Sequence, residues 1–283
     1  MSYVMPKEFA AKMVDAGESK IFMSTKDTLI RAYMAGAILA LAAAFAVTIA
    51  VNTGNFLVAA LLFPVGFCML YLMGFDLLTG VFTLVPLAVI ARRPGCTWGG
   101  MLRNWGLVFL GNFAGALTVA LFMAITFTMG FTEAPNAVGV KIGHIGEART
   151  LGYAAAGFGG MLTLFTRAVM CNWMVSTGVV AAMMSSSVSG KIMAMWMPIL
   201  VFFYLGFEHS VVNMFLFPSG IILGANFTWG DYFLYNEIPT VLGNVVGGLT
   251  FVGGMIYMTH FRESPKRGGA LARNDDAAGI AAE

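Results

Sequence analysis

Four ionisable side chains lie inside long apolar stretches of this sequence and are the first candidates for chemistry. They are Asp76, Arg167, Glu208 and His209. An ionisable group at membrane depth is costly, so a functional role is the first hypothesis for each. His209 is the sharpest candidate, because it adjoins Glu208 and because histidine changes charge near physiological pH. It could therefore exchange a proton with an anion beside it.

Several polar residues near these groups also admit structural interpretations. Asp76 and Glu208 each follow a Gly-Phe pair, so either carboxylate could cap the N–H groups of a following half-helix. Such helix ends also attract anions. Arg167 is better explained as a snorkelling or intersubunit arginine than as a substrate ligand. The Thr79 hydroxyl suits either a pore or a helix cap. Asn244 needs a partner, and we favour the opened backbone over the substrate.

The elements that position these residues are membrane spans. Apolar residues make up 59% of the 283 residues and charged residues 11%, against about 25% charged in soluble domains. A span needs about 20 residues. Six are predicted, at Leu29–Val51, Phe56–Ala91, Asn104–Phe131, Phe158–Met184, Ile192–Ala225 and Leu234–His260. No stripe of Lys and Arg exists to bind nucleic acid, and three cysteines without CxxC spacing predict neither disulfides nor a metal site.

The positive charges orient the spans. With both termini in the cytoplasm, the outer loops contain only Lys141 and Arg149, while the inner segments hold Lys7, Lys12, Lys20, Lys26, Arg92, Arg93, Arg103, Lys191, Arg262, Lys266, Arg267 and Arg273. We therefore predict a cytoplasmic amphipathic segment over residues 1–28, a pore domain over residues 29–260 and a disordered cytoplasmic tail over residues 261–283. A short helix on the inner membrane face is expected within the first segment.

The second and fifth spans are too long for one helix and too short for two, so each is predicted to be broken near its acidic residue. Two blocks repeat at an offset of 132 residues: Gly74-Phe75-Asp76 with Gly206-Phe207-Glu208, and the Leu-Gly-Asn block at Asn112 with that at Asn244. Three spans per copy require an inverted repeat, over about residues 29–131 and 158–260. Inverted repeats with interrupted helices typify transporters and channels, and broken backbone at membrane depth is tolerated where it lines a cavity.

Bulky apolar residues flank both predicted breaks. Phe202 precedes the second break, and Phe67, Leu77 and Leu78 surround the first. A constriction of such side chains would block a hydrated anion through its desolvation cost and penalise the neutral acid far less. The pattern predicts that a weak acid passes in its neutral form.

Longer motifs carry a resemblance to a known family. The segments Gly206-Phe207-Glu208-His209-Ser210, Cys171-Asn172-Trp173-Met174-Val175, Asn236-Glu237-Ile238-Pro239 and Leu242-Gly243-Asn244 resemble the formate/nitrite transporter family. The resemblance implies an aquaporin-like homopentamer in a bacterial or archaeal inner membrane, with one pore per subunit for small monovalent anions or their acids.

The resemblance also assigns roles to residues. The central histidine corresponds to His209, the loop after the first break to Asp76-Leu77-Leu78-Thr79, and the pore asparagine to Asn244, with Asn172 and Glu208 in the matching motifs. The constriction corresponds to Phe67, Leu77, Val175 and Phe202, with Leu78 beside it.

Two features depart from the family pattern. Members commonly have a lysine at the outer mouth, where this sequence has Ala156, and Arg149 is the nearest upstream basic residue. The first break reads Leu77-Leu78-Thr79-Gly80, where formate channels typically have Leu-Phe-Thr-Ser. Formate or nitrite is the expected substrate, and hydrosulfide or a bicarbonate-like anion is the alternative.

Other classes of membrane protein fit the sequence less well. A haem-bearing redox subunit needs paired histidines, and only His209 of three lies deep in a span. The Asn-Pro-Ala signature of water and glycerol channels is absent from both breaks. Ser210 beside His209 is too little for a hydrolase. We expect no enzyme activity, no cofactor and no metal, and the sequence leaves passive and proton-coupled transport open.

Overall fold

The computed structural model describes residues 3–262, which are mainly helical. In chain order the helices are α1 (Pro6–Phe22), α2 (Thr25–Thr53), α3 (Phe56–Leu72), α4 (Leu78–Ile90), α5 (Trp98–Phe127), α6 (Ala137–Arg149), α7 (Leu151–Ala155), α8 (Gly157–Met183), α9 (Val188–Tyr204), α10 (Ser210–Ile222) and α11 (Trp229–Phe261). The predicted tail, residues 261–283, lies almost wholly outside the described residues.

Six membrane passes form two matching sets of three. Helices α2, α5, α8 and α11 are each long and apolar enough to cross a membrane alone. The short apolar helices α3 and α4 together make one broken pass, and α9 and α10 make another. Corresponding helix starts, Thr25 with Gly157 and Leu78 with Ser210, lie 132 residues apart, as the sequence repeat predicts. The prediction of six spans in two repeats is confirmed.

Small residues let the long helices of each repeat cross closely. A Cβ placed on Gly115 of α5 would lie 2.0 Å from the carbonyl oxygen of Tyr33 on α2. In the second repeat, a Cβ on Gly247 of α11 would lie 2.1 Å from the carbonyl oxygen of Val169 on α8. Both distances are too short for any side chain, so both crossings require glycine. Small residues serve the same purpose at other membrane helix contacts.

The N-terminal helix α1 is packed into the protein. Its buried face includes Phe9, Met13 and Ile21. At Gly17 a Cβ would approach the Leu84 carbonyl oxygen of α4 to 2.2 Å, so the two helices touch backbone to backbone. The sequence predicted a helix resting on the inner membrane face. In the structure, the apolar face of α1 is covered by the half-helix that follows the first break.

The segment between the two repeats, which the sequence predicted as an outer loop, is also helical. Asn136 caps helix α6, and its side-chain oxygen accepts the N–H groups of Val138 and Gly139. The helix packs along α10, where a Cβ on Gly220 would lie 3.5 Å from the Gly143 Cα. Boundaries also shift: α5 starts at Trp98, one turn and a half before the predicted Asn104, because Thr97 caps it. Each broken pass thus has an extra helix beside its second half.

Candidate functional site

Both broken passes open at a glycine in the left-handed region. Gly74 has φ +73° and Gly206 has φ +66°, conformations that residues with a Cβ rarely adopt. The chain then runs extended to Leu77 in the first break and to His209 in the second, before α4 and α10 begin. The two glycines therefore turn the backbone out of the helix and expose N–H groups at membrane depth.

An asparagine from the last span of each repeat satisfies that opened backbone. In the first repeat the Asn112 side chain accepts the Leu78 N–H (2.8 Å) and donates to the Asp76 carbonyl (2.9 Å). In the second, Asn244 accepts the Ser210 N–H (3.1 Å) and donates to the Glu208 carbonyl (3.0 Å). Both asparagine side chains therefore bond to the opened backbone, which is the interpretation that the sequence favoured. Both Asn244 amide hydrogens are used, the second by the Ala168 carbonyl at 2.8 Å.

Asn172 connects the two breaks. Its amide donates to the Thr79 carbonyl of α4 (3.2 Å) and to the Asn244 carbonyl of α11 (2.6 Å). Its side-chain oxygen accepts the Ser176 hydroxyl at 3.0 Å. This buried amide holds elements of both repeats in register, and its donors are occupied by backbone carbonyls.

The N-terminal ends of the two half-helices meet where Thr79 faces His209. The Thr79 Oγ1 lies 3.3 Å from the His209 Nε2, and both side chains are buried. Because α4 and α10 both begin here, two positive helix ends converge on this point. A hydroxyl and an imidazole N–H at two helix N-termini form a donor set of the kind that binds anions.

A backbone contact sets the tautomer of His209. Its Nδ1 accepts the Val212 N–H at 3.3 Å, so the imidazole caps its own half-helix. A nitrogen that accepts carries no proton, so the neutral ring has its hydrogen on Nε2, directed at Thr79. In this conformation His209 is a hydrogen-bond donor. Charging the ring would place a proton on Nδ1 and break the contact with Val212.

The predicted constriction residues all belong to the buried apolar core. Phe202 has the closest relation to the histidine, with ring centroids stacked 5.5 Å apart. An unpredicted ring, Phe63, packs edge-on against Phe202 at 5.8 Å and stacks on Phe203 at 3.9 Å. Phe63 lies one helical turn before Phe67, and that spacing was the available signal. The other predicted members are buried in the same core: Phe67, Leu77, Leu78 and Val175.

Glu208 points into a buried polar cluster. Its carboxylate accepts the Tyr153 hydroxyl (2.9 Å) and the side-chain N–H groups of Asn213 (3.0 Å) and Asn236 (3.3 Å). Arg149 Nε approaches the same carboxylate at 3.5 Å, and Arg167 donates to the Tyr153 hydroxyl at 2.9 Å. These contacts do not match the interpretation of Glu208 as a helix cap. They also do not match the interpretation of Arg167 as a snorkelling residue.

Asp76 makes the corresponding contact in the first repeat. Its buried carboxylate pairs with Lys20 of α1. Leu77 is the N-cap residue of α4, and the Leu78 N–H is accepted by Asn112 rather than by Asp76, so the capping role considered for Asp76 is not seen. Each acidic residue at a break therefore has a basic partner from the extra helix packed beside it.

Sequence reasoning missed the second buried acid of the cluster. Glu237 accepts the Ser210 hydroxyl at 2.5 Å and the Tyr232 hydroxyl at 2.8 Å. It lies in a π-helical turn of α11, and such turns are frequent at functional sites. The available signal was the Asn236-Glu237-Ile238-Pro239 motif, which was used only as a mark of resemblance.

Similarity to known proteins covers nearly all of the described chain. Residues 7–258 match the family described as "Formate/nitrite transporter". A "Probable formate transporter" of Methanothermobacter thermautotrophicus is 38% identical over 214 residues, which cover 73% of this chain and 76% of the relative. The fold is similar to a solved "FNT family ion channel" (TM-score 0.77, 24% identity, covering 89% and 98%). It is also similar to a "Pentameric formate channel with formate bound" (TM-score 0.69, 24% identity, covering 84% and 98%).

Proposed function

The chain belongs to the formate/nitrite transporter family, and we propose that it moves formate, or formic acid, through a pore in each subunit of a homopentamer. The family consists of channels and transporters for small anions rather than enzymes, and the fold is the aquaporin-like one of its solved structures. Formate is proposed because proteins similar to this chain are described as formate transporters or channels. Relatives of the chain are bacterial and archaeal, so we place the chain in the lipid bilayer of such a cell's inner membrane. The charge distribution favours both termini in the cytoplasm.

The observation that carries the proposal is the facing pair of Thr79 and His209. Their atoms lie 3.3 Å apart where two half-helices begin. The His209 Nε2–H and the Thr79 hydroxyl can both donate, so a carboxylate oxygen between them would replace their mutual hydrogen bond. The two helix ends add favourable electrostatics for a negative charge. A small monovalent anion matches this donor set in size and charge.

Apolar rings next to the pair decide the form in which the substrate moves. Phe202 stacks on the histidine, and Phe63 closes on Phe202. A hydrated anion would lose its water shell against these rings, whereas a neutral acid loses far less. We therefore assign the passage through the rings to formic acid, with the proton travelling alongside the formate. His209 binds and orients the substrate from its neutral, Nε2-protonated form.

Purified protein in liposomes tests the function and the residues together. Formate uptake should rise as the outside pH falls, and the lumen should acidify in step with uptake. Thr79→Ala should reduce uptake, and His209→Ala should abolish it. His209→Gln, which keeps an N–H donor near the Nε2 position, should retain part of it.

Four results would contradict the proposal. Uptake of nitrite or hydrosulfide without formate would overturn the substrate. Formate uptake that carries electrical current without lumenal acidification would overturn passage as the acid. Equal uptake by wild type and His209→Ala would remove the histidine from the mechanism. Crosslinking of the purified protein to a species other than a pentamer would overturn the assembly.

A further inference from the structure

We propose that Glu237 is a proton-binding residue that takes up a proton when an anion occupies the Thr79–His209 pair and releases it when the anion leaves. This inference rests on the proposed function, since it names the group that keeps the binding of that substrate electrically neutral. Neither the central pair nor the apolar rings involve this carboxylate. Glu237 is 1% exposed and lies in α11, the last span.

Both contacts of the Glu237 carboxylate are with neutral hydroxyl groups. It accepts the Ser210 hydroxyl at 2.5 Å and the Tyr232 hydroxyl at 2.8 Å. Within residues 3–262, no lysine, arginine or histidine forms an ion pair with it. An ionised carboxylate that is buried in a span without a cationic partner is costly. Its charge is therefore the least compensated of the polar cluster.

Glu208, the other acid of the cluster, has cations close to it. Arg149 Nε lies 3.5 Å from its carboxylate, and Arg167 donates to the Tyr153 hydroxyl that binds the same carboxylate. The charged and titratable side chains around Glu237 are thus Glu208, His209, Arg149, Arg167, Tyr153 and Tyr232. Because the cations face Glu208, a proton entering this group of residues is best placed on Glu237.

The charges of the cluster sum to zero when both acids are ionised. Arg149 and Arg167 supply two positive charges, and Glu208 and Glu237 supply two negative charges. An anion at the central pair adds a third negative charge, and Glu237 is bonded to the residue that follows His209. A like charge about 10 Å away weakens anion binding by about ten-fold at an effective dielectric constant of about 20. A proton on Glu237 restores neutrality, and because linkage is reciprocal, anion binding draws that proton in.

The surroundings of Glu237 suit both of its protonation states. A hydroxyl group donates to a carboxylate and accepts from a carboxylic acid, so Ser210 and Tyr232 can bond to either form. A spare acceptor follows Ser210 by three residues on the same helix, where side chains face each other. It is the side-chain oxygen of Asn213, which is buried and has no partner within the described chain. The hydroxyl hydrogen that Ser210 must redirect therefore has an acceptor within one helical turn.

Proton uptake and formate affinity test this role together. Purified protein in weakly buffered detergent solution is mixed with formate of the same pH, and an indicator dye reports the protons taken up per subunit. Wild type should take up protons on binding, and Glu237→Gln should not. Because the amide imitates the neutral acid, Glu237→Gln should bind formate about ten-fold more tightly than wild type at alkaline pH. Its affinity should no longer change with pH.

Infrared difference spectra locate the proton. Formate should produce the carbonyl band of a protonated carboxylic acid in wild type, and isotopically labelled formate separates the bands of the substrate from those of the protein. Glu237→Gln should remove the protein band. Glu237→Asp keeps a carboxyl group and should retain proton uptake, with the band at a shifted frequency. Glu133→Gln, the same substitution at an exposed acid of the outer segment, should match wild type in every measurement.

The results that overturn the inference differ from those that overturn the function. If Glu237→Gln still takes up protons on binding formate, the substrate or another acid carries the proton. If Glu237→Gln binds formate more weakly at every pH, the carboxylate only holds Ser210 and Tyr232. If Glu237→Gln does not fold, an unchanged band frequency in Glu237→Asp assigns the proton elsewhere. If wild type binds nitrite and not formate, the proposed substrate fails, and the same measurements with nitrite decide the role of Glu237.

Discussion

Replacing Asn244 with alanine should destabilise the protein more than replacing an exposed asparagine with alanine. In Asn244→Ala, the Ser210 N–H and the Glu208 carbonyl lose their partner, at 3.1 Å and 3.0 Å in the native protein. Both groups are enclosed by the spans, where water cannot replace the amide. The Ala168 carbonyl, by contrast, belongs to helix α8 and keeps its helical partner.

The magnitude follows from those two orphaned groups. An unsatisfied buried polar group costs about 1–3 kcal/mol, while hydrogen bonds between membrane helices average only about 0.6 kcal/mol. We expect Asn244→Ala to lose about 2–4 kcal/mol of stability. In a protein of this size that lowers the melting temperature by about 5–15 °C. His209 lies in the same loop, so formate uptake should fall as well.

Thermal stability of the detergent-solubilised protein and liposome uptake are the assays. Asn112→Ala removes the matching contacts of the first repeat and should lower the melting temperature by a similar amount. Asn226→Ala changes an exposed loop asparagine and should leave both readouts unchanged. If Asn244→Ala melts within about 2 °C of Asn226→Ala and transports like wild type, the asparagine does not hold the break, and the reasoning from its three contacts is refuted.

Three further predictions concern other parts of the molecule. Lys20→Gln should lower the melting temperature more than Asp76→Asn. The first change leaves the buried Asp76 carboxylate without its cation, whereas after the second change the Lys20 ammonium can reach water. Equal losses of melting temperature would contradict this. Gly247→Ala should prevent recovery of folded protein from the membrane, since a Cβ there would lie 2.1 Å from the Val169 carbonyl oxygen; normal yield would show that α8 and α11 separate easily. Burial and a neighbouring glutamate raise the pKa of the Cys96 thiol. Maleimide labelling of Cys96 should therefore remain slow at pH 8 and accelerate only above the pH at which a free cysteine reacts. A profile of the labelling rate against pH checks this.

The two ion pairs at the breaks extend the symmetry of the repeat. Helix α1 carries Lys20 to Asp76, and helix α6 carries Arg149 to Glu208. Each basic residue lies near the end of a helix packed on the second half of a broken pass. The repeated unit therefore consists of one extra helix followed by three membrane passes.

The sequence by itself determined the membrane architecture of this protein. Span length, positive charge on one side and the offset of 132 residues predicted six passes, their inversion and both breaks. These features are local, since each depends on hydrophobicity over one segment or on glycine beside an acidic residue. Even the asparagine contacts were anticipated, because an amide inside an apolar helix needs a partner and the nearest unsatisfied groups are those of a broken helix.

Only the tertiary structure decided which groups those acidic residues face. Asp76 and Lys20 are 56 residues apart in the chain, and Glu208 and Tyr153 are 55 apart. No periodicity links such positions, because their meeting depends on how α1 and α7 pack. The sequence showed Arg149 as a charge in an outer loop, and the fold placed it over the second break. Hydrophobic pattern specifies which segments enter the membrane, whereas the partners of buried charges follow from packing among distant segments.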